Sequence, residues 1–220
     1  MRRSCVQAAV RALSGIVPAE GLPPEDQARA DFYALLARLF ADAPDAPLLA
    51  AVAAARPLQS PSDAGDAGAV ASSWAALCAA SATAGAEAVG EEFQAMFVGV
   101  GRSEVSPYAS HYLGPQSGRP LAEIRAVLDG LGLARKAESS EFEDHLSVML
   151  ETMRLLVAGD GERPPADIAV QRDFCERHLM SWAFDCCTAI MRSPIANYYR
   201  HVASFTSCFL ALERDSFAME

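Results

Sequence analysis

Apolar residues recur at intervals of three and four positions along most of the chain, which is the spacing of an amphipathic helix. The clearest case follows the prolines and acids of PPEDQ, where one helical face carries Phe32, Leu35, Leu36, Leu39 and Phe40. The same pattern predicts a short helix between Pro44 and Pro57 and helices over residues 69–84, 87–98, 121–131, 141–158, 166–192 and 194–217. No segment sustains the alternation of a β-strand. The pattern therefore predicts an all-α fold.

The helical pattern stops in the segment GVGRSEVSPYASHYLGPQSGRP, residues 99–120, which holds four glycines and three prolines. It also holds Tyr108, His111 and Tyr112. Aromatic side chains in an irregular segment are typical of a loop that packs on the surface, not of a flexible linker. We expect an ordered loop here.

The domain organisation follows from this loop. We expect a single domain, residues 1–220, with helical halves at about 1–98 and 141–220 and a connecting loop or hinge at about 99–140. A hinge of this kind is compatible with a monomer or with a domain-swapped dimer.

The segment SSEFEDHLSVMLETM, residues 139–153, combines acids and a histidine with an apolar stripe. Ser140 followed by Glu143 matches a capping box, so we expect a helix to begin at this point. On such a helix the core stripe comprises Phe142, Leu146, Met149, Leu150, Met153, Leu156 and Val157. A second face comprises Glu141, Asp144, Val148, Glu151 and Leu155, with His145 at the boundary. Carboxylates between aliphatic side chains suit a peptide that is partly cationic and partly apolar.

Catalysis is the alternative interpretation of the same acids and histidine. Asp144 and His145 are neighbours on the predicted helix and diverge by about 100°, so they cannot easily form the hydrogen bond of a catalytic triad. The sequence has no G-x-S-x-G nucleophile elbow and no G-x-x-x-x-G-K-[ST] phosphate loop. We therefore expect a protein that is not an enzyme.

Charge and cysteines narrow the possible partners. A net charge of −10 disfavours nucleic acid and anionic membrane and favours a cationic partner. The chain has six cysteines and no C-x-x-C pair, so we expect free thiols in the reducing cytoplasm. Cys175 and His178 lie one helical turn apart, but zinc needs about four ligands, and we expect no metal.

The opening MRRSCVQAAVRALSGIV is interrupted by Arg11 and is too short to span a bilayer, so we expect neither an export signal nor stable membrane insertion.

Two motifs, in order, resemble the TorD/DmsD family of redox-enzyme maturation chaperones across about residues 25–215. Phe93, Met96 and Phe97 match the end of a helix, and Pro107, Tyr108 and Ser110 match the loop motif that follows it. Glu141, Asp144, His145 and Leu146 match a Glu-Pro-x-Asp-His-Leu motif that opens a helix. The chain departs from the family at Ala109, where an acid is usual, and at Phe142, where proline is usual.

The resemblance implies a cytoplasmic, all-α chaperone that folds as a TorD-like bundle of about 9–11 helices. Its partners would be the twin-arginine signal peptide and the body of the catalytic subunit of a molybdoenzyme, held until the cofactor is inserted. The resemblance and the carboxylate face together assign peptide binding to Asp144, His145, Glu141, Tyr108, Pro107, Ser110, Glu151 and Val148. A hydrogen-bonded structural role for His145 and a loop-anchoring role for Tyr108 stay open.

Two further functions stay open. One is an assembly factor that recognises only the body of a nitrate-reductase-like client. The other is a small nucleotide-binding protein, since guanine nucleotide is associated with the family, although no phosphate-cradling loop is visible here. We expect no resident cofactor.

Overall fold

The computed structural model describes residues 21–58, 65–99, 103–114, 120–133, 142–160 and 162–219. Their α-helices are Pro24–Ala41 (α1), Ala46–Ala53 (α2), Gly65–Thr83 (α3), Ala86–Phe93 (α4), Ala109–Leu113 (α5), Pro120–Gly130 (α6), Leu146–Ala158 (α7), Ile168–Phe174 (α8), Ser181–Arg192 (α9) and Tyr198–Ala218 (α10). Two π-helical segments, Gln94–Val98 (π1) and Cys175–Met180 (π2), continue α4 and α8. Among these residues the only β pairing is an isolated bridge between Tyr108 and His145. The predicted all-α fold is confirmed.

The described residues divide into two compact units. Unit 1 is built from Asp42–Val105 with Cys187–Glu220, and unit 2 from Ala19–Ala41 with Ser106–Cys186. Each unit therefore combines stretches that are distant in sequence. The expectation of one domain with its halves at 1–98 and 141–220 stays a prediction.

The core of unit 1 forms around α3, which packs against α2 and α10. Trp74 is buried, its ring centroid lies 5.0 Å from that of Phe205, and its indole N–H donates to the carbonyl oxygen of Arg56. A second aromatic cluster joins Phe93 and Phe97 of α4 and π1 to Tyr199 of α10. Apolar burial on these faces fixes the position of α10 within the unit.

The core of unit 2 is the contact between α1 and α7. The predicted stripe of α1 is buried, as are Leu146, Met149, Leu150 and Met153 of α7. Near it, the ring of Tyr112 stacks on Trp182 at 5.8 Å. Tyr112 belongs to the predicted loop, which holds the short helix α5 and is packed in its described part.

The start of α7 differs from the prediction. The helix begins at Leu146 with His145 as its N-cap, whereas Ser140 and Glu141 lie outside the described residues. Residues 142–145 form a turn closed by a hydrogen bond from the His145 N–H to the Phe142 carbonyl. The capping box with Glu143 at the third helical position is therefore wrong, and so is the helix face on which Asp144 precedes Val148. The reason is that residues 107–109 hold this backbone in a pairing too distant in sequence for a local pattern to reveal.

Among the described residues, no single helix is long and apolar enough to cross a membrane. One bent pair, Gly65–Thr83 with Ala86–Val98, meets those criteria together, at an angle of 116°.

Candidate functional site

The two family motifs meet in unit 2. The Ala109 N–H donates to the Asp144 carbonyl (3.0 Å), and the Leu146 N–H donates to the Pro107 carbonyl (2.9 Å). These bonds flank the bridge between Tyr108 and His145. We call residues 107–110 and 142–147 the motif clasp. The structure thus brings together five residues that the sequence analysis took from two separate motifs: Pro107, Tyr108, Ser110, Asp144 and His145.

Asp144 lies inside the clasp. The residue is only 2% exposed, and its Oδ2 accepts a hydrogen bond from the Ser110 N–H at 3.1 Å. Because a buried carboxylate needs hydrogen-bond donors, this contact ties the first turn of α5 to the segment before α7. Asp144 is therefore buried before the helix begins, and its predicted position on the second helix face is wrong. Its part in peptide binding stays a prediction.

His145 is 4% exposed and caps α7. Its Nδ1 accepts from the Ser147 N–H at 3.2 Å and lies 2.7 Å from the Ser147 hydroxyl. The imidazole meets the Tyr108 ring edge-on, with centroids 4.8 Å apart. The helix start is thereby capped by an imidazole instead of the usual Ser, Thr, Asp or Asn oxygen. The boundary position predicted for His145 is wrong, and the structural role left open for it is what the geometry supports.

The outer side of the clasp is aromatic and polar. Phe142 is 52% exposed and contacts the half-buried Tyr108 ring, with centroids 6.5 Å apart. Ser110 is exposed, Pro107 is buried, and Val148 on the first turn of α7 is half-buried. An exposed aromatic ring on a fixed turn is a suitable anchor for an apolar side chain of another polypeptide.

The other carboxylates near the clasp already have cationic partners. Glu143 pairs with Arg125 of α6 at 3.0 Å, and hydrogen bonding to Glu143, with a smaller effect of Asp144, raises the pKa of Arg125. Glu151 accepts from both Nε and Nη2 of Arg154, at 2.9 and 2.7 Å. These carboxylates are therefore engaged within unit 2.

The described residues contain no group of three or more metal-ligating side chains. Cys175 and His178, which lie one helical turn apart in sequence, have different environments. Cys175 is buried, 3.6 Å from the Tyr33 hydroxyl, while burial lowers the pKa of the half-buried His178. In these surroundings Cys175 packs as a small core residue.

Sequence reasoning missed Glu92 of α4 in unit 1. Its carboxylate accepts three backbone hydrogen bonds at the start of α10, from Asn197 (2.9 Å), Tyr198 (2.9 Å) and Tyr199 (2.8 Å). A carboxylate at a helix N-terminus satisfies unpaired N–H groups and complements the helix dipole. Only the tertiary fold brings Glu92 to α10, so no local signal could have found it.

The sequence model described as nitrate reductase delta subunit matches residues 63–188, more than half of the chain. The perchlorate reductase assembly chaperone protein of Dechloromonas aromatica is 35% identical over 104 residues, 42% of this chain and 46% of that protein. The chaperone protein TorD of Aliivibrio salmonicida is 25% identical over 130 residues, 56% of this chain and 60% of that protein. The probable Tat proofreading chaperone DmsD of Haemophilus influenzae is 26% identical over 119 residues, 53% of this chain and 55% of that protein. The chain spans about half the length of the curated relatives it matches.

The matched segment includes both motifs of the clasp, and the relatives carry chaperone names. The family predicted from the two motifs is confirmed. The chain belongs to the nitrate reductase delta subunit family, the TorD/DmsD family of redox-enzyme maturation chaperones.

Proposed function

We propose that this protein is a non-enzymatic, cytoplasmic chaperone for a molybdenum-containing oxidoreductase subunit. It binds the twin-arginine signal peptide and the body of its client, and it retains the client until the cofactor is inserted. The observation that carries the proposal is the family match over residues 63–188, because relatives with chaperone names share it.

The motif clasp supports the proposal because some of its residues are buried and hold it together while others are accessible to a partner. Asp144, His145 and Pro107 are buried and hold two chain segments together. Tyr108 and Phe142 remain accessible on the outer side. A surface that is fixed before binding loses little conformational entropy when a peptide docks. In this role Asp144 and His145 position the contact surface, and Tyr108, Ser110 and Val148 form part of it.

The charge of the chain supports a cationic partner. A net charge of −10 attracts a leader that carries consecutive arginines, and it speeds encounter at low salt. The apolar stretch of such a leader would then supply much of the affinity by burial.

Isothermal titration calorimetry with a synthetic twin-arginine leader tests the leader-binding part. We expect leader binding that weakens as sodium chloride rises. We expect Phe142→Ser, which removes the exposed aromatic ring of the clasp, to weaken binding of the oxidoreductase subunit. A thermal-shift measurement with guanine nucleotide runs beside it, where we expect no stabilisation. Absence of heat with the leader, combined with absence of binding to any oxidoreductase subunit, would rule out the proposed function.

A second candidate is recognition of the client body alone. It is favoured by one observation: the carboxylates of the motif region are engaged by the Ser110 N–H, Arg125 and Arg154. Co-purification with an oxidoreductase subunit from which the leader has been deleted separates the two. Retention of the leaderless subunit without heat from the isolated leader supports body recognition.

A further inference from the structure

The engaged carboxylates of the motif clasp raise the question of where the arginines of a leader would bind. We propose that they bind in unit 1, on an acidic-to-apolar strip formed by Glu87, Glu91, Ala95 and Val98 along α4 and π1. The two glutamates would meet the arginines, and Ala95 and Val98 would meet the apolar residues that follow them. This inference rests on the proposed function and names the surface that takes the leader.

The strip is the solvent face of a helix whose other face is fixed in the core. Residues 87, 88, 91, 94, 95 and 98 are exposed, whereas Val89, Phe93 and Met96 are buried. Val98, at the end of the strip, is 55% exposed. The strip therefore offers apolar surface that the fold of unit 1 does not use.

The acidic end of the strip has unneutralised charge. Glu87 and Glu91 lie one helical turn apart, and no ion pair joins either of them to another described residue. Two like charges at this spacing repel each other mildly. A cationic partner would relieve that repulsion as well as form its own ion pairs, which is the charge complementarity that selects a cationic occupant.

The length of the strip matches a short extended peptide. Eleven residue steps from Glu87 to Val98 correspond to about 16 Å of helix. An extended chain covers that distance in about five residues. Two arginines followed directly by apolar residues would thus meet the acidic end and the apolar end in one stretch.

Two other exposed helix faces among the described residues differ from the strip. Glu123 and Asp129 on α6 are exposed beside Arg125, without an exposed large aliphatic residue on that helix. On α8 and π2, Val170 is 38% exposed, but Asp173 is paired with Arg177 at 2.7 Å. On α4 and π1, two exposed acids without an ion-pair partner among the described residues lie on the same face as exposed aliphatic side chains.

The strip is also held rigidly. Glu92, next to Glu91, binds three N–H groups at the start of α10, and Phe93 and Phe97 pack against Tyr199. At the start of α10, the guanidinium of Arg200 donates to the carbonyls of Ser193 and Ala196. A preformed surface of this kind binds an extended peptide at a low entropic cost.

Fluorescence anisotropy tests the strip with a labelled synthetic peptide that carries two consecutive arginines and an apolar run. The protein variants are Glu87→Gln/Glu91→Gln, Val98→Ser and a control, Glu123→Gln/Asp129→Asn, which changes the net charge equally on an exposed face of unit 2. A second peptide has both arginines replaced by glutamine. Because all altered side chains are exposed, circular dichroism and urea midpoints should match the wild type.

We expect the Glu87/Glu91 double variant to bind the arginine peptide roughly fivefold more weakly, as two exposed ion pairs would predict, and to bind the glutamine peptide like the wild type. Val98→Ser should weaken both peptides roughly threefold. The control should stay within about twofold of the wild type, as expected if distant exposed charges act only through screened steering.

Leader binding that is unchanged in the Glu87/Glu91 variant, or equally weakened in the control, would overturn the strip while leaving the proposed function in place. Failure of the wild type to bind the arginine peptide would overturn both the strip and leader recognition. A concentration-dependent dimer that Val98→Ser abolishes would overturn the strip by assigning it to a second copy of this chain.

Discussion

The unpaired N–H groups at the first turns of helices α7 and α10 are satisfied by different kinds of hydrogen-bond acceptor. At α7 the cap is local: Nδ1 of His145 accepts from the N–H of Ser147, two residues on. At α10 the side chain of the N-cap residue Asn197 makes no capping bond, and Glu92 from α4 accepts three N–H groups instead. One helix start is thus completed by its own sequence, and the other by a residue about a hundred positions away.

The difference determines what each cap holds together. The local cap at α7 stabilises the helix itself, and the attachment to residues 107–110 depends on separate bonds from Asp144 and the backbone. The remote cap at α10 stabilises the helix and its attachment to α4 through a single carboxylate. Loss of Glu92 should therefore disturb unit 1 more than loss of any one side chain of the clasp disturbs unit 2.

The largest expected loss of stability is at the C-terminal end of α7. There a backbone conformation, and not a side-chain cap, ends the helix. Gly159 has φ +71° and ψ −170°, and a Cβ there would overlap the Arg163 carbonyl oxygen and lie 3.1 Å from the Pro164 carbonyl carbon. We expect Gly159→Ala to lower the free energy of unfolding by about 3–5 kcal/mol, from backbone strain and steric overlap together. Urea denaturation measures it.

Gly130→Ala is the matched control for this change. Gly130 ends α6, and a Cβ there would meet nothing within 4 Å. We expect a neutral or slightly stabilising effect, because alanine favours the helix. A Gly159→Ala protein as stable as the control would contradict the role of this turn.

The remote cap comes next in magnitude. We expect Glu92→Ala to destabilise the protein by about 2–3 kcal/mol, because three N–H groups lose an ionised acceptor. Glu92→Gln should cost roughly half as much, since one side-chain oxygen remains to accept. The neighbour Glu91→Gln, whose side chain is exposed, serves as the control and should stay within about 0.5 kcal/mol of the wild type.

Hydrogen exchange of the first amides of α10 sharpens this test. Fast exchange confined to that helix start in Glu92→Gln would support the remote cap. Wild-type stability and exchange in Glu92→Ala would remove the contrast between the two helices.

Asp144 should give a smaller loss, because it holds one N–H instead of three. We expect Asp144→Asn to destabilise the protein by about 1–2 kcal/mol, through loss of the charge-assisted bond to the Ser110 N–H in a buried site. Ser110→Ala keeps that N–H and should be neutral, which makes it the control. An Asp144→Asn protein of unchanged stability that loses leader affinity would instead support direct contact with a ligand.

The contrast between the caps also explains which features could be predicted. The stripe from Phe32 to Phe40 is a local consequence of helical spacing, so the sequence predicts α1 and its buried face correctly. Helical spacing predicts the start of α7 several residues too early, because the pairing with residues 107–109 turns the chain at Phe142–His145 instead of continuing the helix. The site motifs could be located, but the burial of Asp144 and the reach of Glu92 depend on contacts between distant segments.

The smallest expected effect lies in the turn after α7, where charge acts at an exposed position. Asp160 pairs with Arg163, whose side-chain and backbone N–H groups lower the pKa of Asp160 from its ordinary 3.8 to about 2. Oδ1 of Asp160 also accepts from the N–H groups of Glu162 and Arg163. Asparagine can accept those two bonds, so Asp160→Asn removes the charge and retains most of the turn.

The pH dependence follows from the direction of the shift. A carboxyl group whose pKa is lower in the folded state stabilises the fold when it is ionised in both states, above about pH 4, and this contribution disappears as the pH falls through about 2. The wild type should therefore exceed Asp160→Asn in stability by a small, constant margin near neutral pH. We expect the margin, measured by urea denaturation, to close between pH 4 and pH 2 and to shrink in high salt, because the pair is exposed. An equal margin at pH 2 and pH 7 would mean that the geometry of the turn, and not the charge of Asp160, holds the end of α7.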